Sequence, residues 1–247
     1  MAAKYPYTPD YAVAPGATLK ETLEEKGLSQ ADLALRTGLA EKTISQIVNG
    51  IAALSYETAE KLELALGIPA KFWNARERSY REALVRIEEL ERLQDDVHWL
   101  QQIPLDDLMA RGFIQDNADK RSLVRQALRF FGVSGVEAWQ ATWATPAAQY
   151  RGGAAKQRHP GYVAAWLRMG EIQAEGVKTE PFDASRFRTV LAEARRFVRL
   201  PLKEAIASLT ELCASAGVAV VLTEEIPKAG VSGAVRWRAR SCHPRRS

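Results

Sequence analysis

The run SQADLALRTGLAEKTISQIVNG, residues 29–50, decides the fold of the N-terminal part of this 247-residue chain. Ser29 and Asp32 have the spacing of a capping box, which predicts the start of a helix. Gly38 predicts the end of that helix, and a second helical pattern follows after two residues. Two short helices joined by a tight glycine turn are typical of a helix-turn-helix.

The second helix of this run is predicted over residues 41–50, with one buried and one polar face. Ile44 and Ile47 have helical spacing and are expected to anchor the helix in a core. The small side chain of Ala34 allows the two helices to cross closely. The polar positions on or beside the outer face are Glu41, Lys42, Thr43, Ser45 and Gln46. A helix presented in this way can enter the major groove of DNA.

Apolar periodicity predicts further helices along most of the chain, and the β-branched run VAVVLTEEI, residues 218–226, predicts a strand. The predicted fold is mainly α, with an N-terminal five-helix domain, a long connecting helix, a helical middle and a short β fragment at the C-terminus. The predicted boundaries are an extended arm at 1–13, a helix-turn-helix domain at 14–70, a long helix at 71–100, a helical region at 101–237 and an irregular basic tail at 238–247.

Residues 29–50 resemble the helix-turn-helix of the lambda repressor-like, or XRE, family. The wider run at residues 14–80 resembles its HigA-type antitoxin branch, through the PG before the first helix, TAEKL in the fourth helix and FWN…Y after Pro69. The resemblance implies a sequence-specific, DNA-binding transcriptional regulator of the antitoxin type. It also implies a homodimer on a double-stranded operator, with a toxin as a further partner if a neighbouring gene encodes one.

The resemblance implies individual roles for seven residues. Gln30 is expected to contact a phosphate, Lys42 to reach guanine and Gln46 to reach adenine. The remaining four are Glu41, Thr43, Ser45 and Asn49. Thr43 and Asn49 are candidates for backbone contacts, but Thr43 and Ser45 are equally compatible with solvated helix positions. Glu41 either accepts from a cytosine amine or only complements the positive end of the helix.

One position departs from the family pattern. Ala40 stands where the family commonly has a serine or threonine cap for the recognition helix. Loss of such a cap costs about 1 kcal/mol, so this helix is expected to be less firmly held.

The C-terminal half, through GVAVVLTEEIPKAGVSGAVRW, resembles proteins with an ImmA/IrrE-type metallopeptidase domain. That family binds zinc through an HExxH helix, and this sequence has no HExxH. Its three histidines, His98, His159 and His243, are too far apart in sequence to form that pair. We therefore expect no catalytic site, metal or cofactor. Two alternatives to the regulator remain, a metallopeptidase-type regulator and a protein-interaction module whose helical middle binds a partner or a small molecule.

The basic composition depends on the last ten residues, RARSCHPRRS. The formal net charge is +4, and removing the four arginines of this tail brings it to 0. Net charge thus gives no argument for DNA binding. The tail follows no structural pattern, and we expect it to be an out-of-frame or truncated end of the ImmA/IrrE-like domain.

Neither a long apolar run nor a secretory leader is found in the sequence, which predicts no association with membranes. Cys213 and Cys242 form no disulfide framework. A cytoplasmic location is expected.

Overall fold

A computed structural model describes residues 11–145, 159–199, 201–231 and 233–237 of the chain. The chain divides into two compact units, Met1–Gln94 and Asp95–Ser247. Most of the predicted arm and the whole basic tail, with Cys242 and His243, lie outside the described residues. In the described ranges, no helix is long and apolar enough to cross a membrane.

From residue 11 onward, where the structure describes it, the first unit contains five helices, as the sequence predicts. They are α1 (Pro15–Lys26), α2 (Gln30–Thr37), α3 (Glu41–Val48), α4 (Tyr56–Leu66) and the long α5, Ala70–Asp95. Helix α1 begins three residues before its predicted start at residue 18. Pro15 stands in its first turn, where the missing N–H of proline needs no partner and its fixed φ suits a helix.

The five helices share one core, to which α5 contributes Trp73. This side chain is completely buried among residues of the other four helices. On the same helix, the Arg76 Nη2 donates to the Thr18 Oγ1 at 2.8 Å and ties α5 to α1. The other buried core residues are Leu19, Leu23, Leu33, Ile44, Ile47, Leu54, Ala59, Leu62 and Leu66.

The long helix is shorter than the predicted 71–100. It ends at Asp95, and a 3₁₀ helix continues over Asp96–Gln102. Trp99 and Leu100 are buried in the second unit, and the tighter winding of a 3₁₀ turn changes the direction of successive side chains. Tertiary packing of these two residues, which periodicity does not capture, accounts for the difference.

The second unit is helical and has an aromatic core. Its helices are α6 (Leu105–Ala110), α7 (Lys120–Phe131), α8 (Val136–Trp139), a π-helical turn at Gln140–Ala144, α9 (Pro160–Glu175), α10 (Ala184–Ala194), a 3₁₀ turn at Arg195–Arg199, and α11 (Leu202–Ser215). Phe131 packs against Trp99, Trp139 and Trp143 with ring centroids 5.8–6.1 Å apart. The tryptophans at 139 and 143 are buried, so they belong to this core.

Helices α10 and α11 meet in a smaller apolar cluster of the second unit. Its buried residues are Val190, Cys213 and Ala216, and Val218 and Val220 pack against them. Burial raises the pKa of the Cys213 thiol, so the thiolate form is disfavoured there.

The predicted β fragment is not formed within the described residues, and this part of the fold prediction is corrected. Residues 218–226 and 233–237 contain no strand. A strand needs a partner that completes its hydrogen-bond ladder, and side chains hold this segment instead. Arg111 pairs with Glu224 and donates to the Glu225 carbonyl at 2.8 Å, while Thr223 donates to the Gln173 Oε1 at 2.8 Å.

Candidate nucleic-acid interface

The start of α2 is held by the predicted capping box. The Asp32 N–H donates to the Ser29 Oγ at 3.0 Å, and the Ser29 N–H donates to the Asp32 Oδ2 at 2.9 Å. The Ser29 hydroxyl also donates to the same carboxylate oxygen at 2.6 Å. The bond from the Ser29 hydroxyl, and after it the bond from the Ser29 N–H, lower the pKa of the Asp32 carboxyl below its ordinary value of 3.8. The carboxylate therefore stays charged near the positive end of α2.

The turn between α2 and α3 is formed by a glycine in the left-handed region. Gly38 has φ +68° and follows the last residue of α2, a conformation that side chains with a Cβ rarely adopt. Ala40 then occupies the N-cap of α3 and provides no side-chain acceptor. The predicted absence of a side-chain cap is confirmed, and the first N–H groups of α3 have no side-chain acceptor at the N-cap.

The inner face of α3 is fixed in the core of the first unit. Ile44 and Ile47 are buried, and the start of α1 lies against the last turn of α3. A Cβ on Gly16 would lie 2.0 Å from the Ile47 carbonyl oxygen and 2.6 Å from that of Val48. Only a residue without a side chain fits here, and the positive end of α1 faces the negative end of α3.

The C-terminal end of α3 is stabilised by hydrogen bonds within the helix and from the following loop. The N–H groups of Ile51 and Ala52 donate to the Gln46 carbonyl at 2.8 and 3.0 Å. The Asn49 Nδ2 donates to the Ser45 carbonyl at 2.8 Å and to the Ser45 Oγ at 3.3 Å. The amide of Asn49 thus contributes to the helix end, and its predicted contact with DNA stays a prediction.

The outer face of α3 presents the residues predicted to read DNA bases. Lys42 is exposed and Gln46 is half-buried. They lie four residues apart, which places both on one side of the helix. Within the described chain, neither the Lys42 ammonium nor the Gln46 side-chain amide has a polar partner. Both groups are available to a ligand, and nothing in the packing of the unit requires them.

The remaining predicted residues surround this pair. Glu41 is exposed in the first turn of α3, whereas Thr43 and Ser45 are half-buried on its sides. Gln30 is half-buried at the first position of α2, where backbone N–H groups point outward at a helix start. The structure therefore brings six of the seven predicted residues together on α3 or its C-cap, and places Gln30 on the preceding helix.

Two large side chains that follow α3 are also exposed. Ile51 is 73% exposed in the loop after α3, and Tyr56 is 79% exposed in the first turn of α4. The sequence pattern points to neither residue, since both stand outside the apolar periodicity of a helix. Ile51 is distinguished by its exposure, because Leu54 in the same loop is buried.

No group of three or more histidine, cysteine or acidic side chains that could hold a metal ion comes together in the described residues. His98 is exposed on the 3₁₀ turn after α5. His159 is exposed before α9, with its ring 5.4 Å from the ring of Tyr162.

Residues 19–73 match the family model described as a helix-turn-helix, HTH_3. This part of the chain is an XRE-type helix-turn-helix domain. The match includes α2 and α3 and extends through Trp73 on α5, and it suggests a DNA-binding regulator. No curated protein and no solved structure matches the chain significantly. The helix-turn-helix match does not reach the second unit, so the ImmA/IrrE resemblance stays a prediction.

Proposed function

We propose that the chain is a sequence-specific DNA-binding transcriptional regulator whose helix α3 lies in the major groove. The observation that carries the proposal is the pair Lys42 and Gln46, which share one side of α3 and lack polar partners in the described chain. A lysine can donate to guanine O6 and N7, and a glutamine amide can bond both N6 and N7 of adenine. The buried Ile44 and Ile47 on the opposite face keep the helix in place.

The remaining polar residues have supporting roles in this proposal. Gln30 and the free N–H groups at the start of α2 bind a phosphate and set the orientation of the domain. Glu41, Thr43, Ser45 and Asn49 are assigned to the edge of the same interface. The domain is proposed to act as a homodimer on a palindromic operator, because a single recognition helix buries too little surface for tight specific binding. The long helix α5 supplies the contact between the two copies.

The antitoxin role is a further part of the proposal and rests on the HigA-type resemblance of residues 14–80. Such a protein would bind a toxin encoded beside its own gene. Coexpression of the neighbouring reading frame with and without this chain tests the role through growth and copurification. Growth arrest that the chain does not relieve would argue against it.

Binding, and not catalysis, is the proposed activity of the whole chain. A zinc peptidase of the ImmA/IrrE type needs the HExxH pair, which this sequence lacks. One equivalent of tightly bound zinc that is lost on His159→Ala would contradict this part of the proposal.

The central experiment is selection of an operator from a pool of random-sequence duplexes, followed by binding measurements with variants. We expect the double substitution Lys42→Ala and Gln46→Ala to remove the preference for the selected sequence. Each lost bidentate base contact costs about 1–3 kcal/mol of discrimination, so the combined loss is at least about 30-fold. Far-UV circular dichroism checks that the fold is kept.

The matched control is Lys71→Ala with Gln101→Ala. This pair removes the same two chemical groups from exposed positions outside α3 and outside the proposed dimer contact, and we expect it to retain operator preference. If the α3 double variant protects the same DNA site as the unmodified protein, the assignment of α3 as the recognition helix is wrong.

A further inference from the structure

A concentration of arginines marks the surface of α10 and the 3₁₀ turn that follows it. Residues 184–199, ASRFRTVLAEARRFVR, contain five arginines and one glutamate, a net charge of +4. All five arginines are exposed, namely Arg186, Arg188, Arg195, Arg196 and Arg199. None of them forms an ion pair with an acid in the described part of the chain. We call Arg188, Arg195, Arg196 and Arg199 the arginine face.

The spacing of the arginine face arranges its members in two pairs, which are rotated by about 100–120° from each other because Arg195 and Arg196 are consecutive residues. Arg188 and Arg195 are seven residues apart, or two helical turns, so they lie on the same side of α10. That side is opposite Val190, which is buried against α11. Arg196 and Arg199 are three residues apart on the 3₁₀ turn Arg195–Arg199, where side chains at this spacing are aligned. From Arg188 to Arg199 the backbone spans about 18 Å.

The needs of the fold explain only part of this charge. A cation near a helix C-terminus complements the helix dipole, and Arg195 at the C-cap of α10 fulfils that role. Three further exposed arginines add mutual repulsion without adding a bond inside the protein. Elsewhere in the second unit arginines are bonded, as Arg168 is to the Phe130 carbonyl at 2.8 Å and to Glu171 at 3.2 Å.

The charge of the helix-turn-helix domain makes a second source of phosphate contacts useful. Residues 19–73 contain six lysines and arginines and eight acidic residues, a net charge of −2. Contacts between cations and phosphates supply essentially all of the sequence-independent affinity for DNA. A domain with this balance has few cations to offer beyond those that specify bases. The arginine face offers further cations for contacts with phosphates.

We propose that the arginine face is a second DNA-binding surface, which contacts phosphates without regard to sequence. The proposal rests on the proposed DNA-binding function and adds the second unit to it. The guanidinium groups fit phosphate oxygens with paired hydrogen bonds. The 18 Å span corresponds to about five base pairs along the duplex axis. The face provides affinity and α3 provides sequence preference.

The test compares the full chain with the fourfold variant Arg188→Gln, Arg195→Gln, Arg196→Gln and Arg199→Gln. Binding to a random-sequence duplex of about 30 base pairs is measured between about 50 and 200 mM salt. The plot of log K against log salt should lose about 0.9 of slope for each phosphate contact removed. We expect the variant to lose at least about two units of slope and at least tenfold in affinity at the lowest salt. An unchanged slope would overturn the proposal.

Two controls separate the outcomes. The same four positions changed to lysine keep the charge and should keep most of the slope, and circular dichroism checks folding of both fourfold variants. Vesicles of equal parts phosphatidylcholine and phosphatidylserine test a membrane surface as the alternative ligand. Weaker vesicle binding by the glutamine variant, with an unchanged slope on DNA, would also overturn the proposal.

The experiment also distinguishes failure of this inference from failure of the proposed function. A glutamine variant that keeps its slope while the unmodified protein still prefers a selected operator contradicts only the arginine face. A protein that prefers no sequence, but loses slope in the glutamine variant, contradicts only the sequence-specific function of α3.

Discussion

At the scale of single residues, Ala40 leaves the start of α3 without a side-chain cap. It has the extended backbone of an N-cap, with φ −66° and ψ 140°, but its methyl group accepts no hydrogen bond from the first turn of α3. Ser29 and Ser55 supply that bond at the starts of α2 and α4. The helix that is proposed to read DNA is therefore less well capped than its two neighbours.

The substitution Ala40→Ser is expected to stabilise the first unit by about 1 kcal/mol, because a serine hydroxyl would accept from the first turn of α3. For a unit of this size the gain corresponds to a rise in Tm of about 4–8 °C, measured by circular dichroism. Ala75→Ser, at an exposed position inside α5, should lower stability slightly because serine is a poorer helix former than alanine. An unchanged Tm for Ala40→Ser would indicate that α3 is capped by other means.

The residue patterns that depend on a few neighbours in sequence could be predicted. The capping box of Ser29 and Asp32 and the helix-ending Gly38 are confirmed, because caps and turns are set by local backbone geometry. The bonds from Asn49 to Ser45 could not be predicted with the same assurance, since a side-chain amide can turn toward its own helix or toward a ligand. The base contacts of Lys42 and Gln46 stay predictions until DNA binding is measured.

At the scale of elements, the C-terminal extended segment shows the limit of strand propensity. The run VAVVLTEEI has the composition of a strand, yet residues 218–226 form none. Strand propensity describes how well a side chain fits a pleated surface, and a ladder also requires a second segment in register. Helical periodicity needs no distant partner, which is why the helices of the first unit could be predicted and the β fragment was wrong.

The anchoring of this segment leads to an element-scale prediction for Arg111→Ala. Removing the guanidinium group breaks the pair with Glu224 and the 2.8 Å bond to the Glu225 carbonyl. We expect trypsin to cut after the exposed Lys228 several-fold faster, because local opening of the segment becomes easier. The readout is the rate of the cleavage at Lys228, followed by mass spectrometry.

Arg121→Ala is the matched control for this prediction. Arg121 pairs with Asp119 at the start of α7, and its loss should leave cleavage after Lys228 unchanged. Equal acceleration in both variants would mean that the whole second unit has been destabilised and that Arg111 has no particular role as an anchor.

At the scale of the whole molecule, the distribution of charge is more informative than its sum. The formal charge of +4 falls to 0 without the last ten residues. The net charge of residues 1–237 hides opposite local charges. The helix-turn-helix domain at residues 19–73 carries −2, whereas the stretch 184–199 carries +4. Sequence alone could not show that these arginines lack acidic partners, since ion pairs join residues that are distant along the chain.

A whole-molecule prediction concerns the proposed homodimer. Leu84, Ile87 and Leu90 form a half-buried stripe on α5, and we expect Ile87→Glu to raise the dimer dissociation constant at least tenfold. A charge introduced into an apolar contact loses hydration without gaining a partner. Sedimentation equilibrium measures the effect, with circular dichroism to check folding.

Leu64→Glu provides the comparison for the dimer experiment. Leu64 is 88% exposed on α4, so the same kind of change there should leave the dimer intact. A dimer of Ile87→Glu that is as tight as the unmodified one would exclude this stripe as the contact.

The contact between Gly16 and the last turn of α3 has a consequence for genetics. A Cβ at this position would meet the backbone oxygens of Ile47 and Val48, so any substitution must displace α1 or α3. A screen for loss of repression should therefore recover changes at Gly16 together with changes at Lys42 and Gln46. Such a mutant would resemble a DNA-contact mutant in the colony assay, although position 16 is buried and does not face a ligand. Its lower thermal stability would tell the two classes apart.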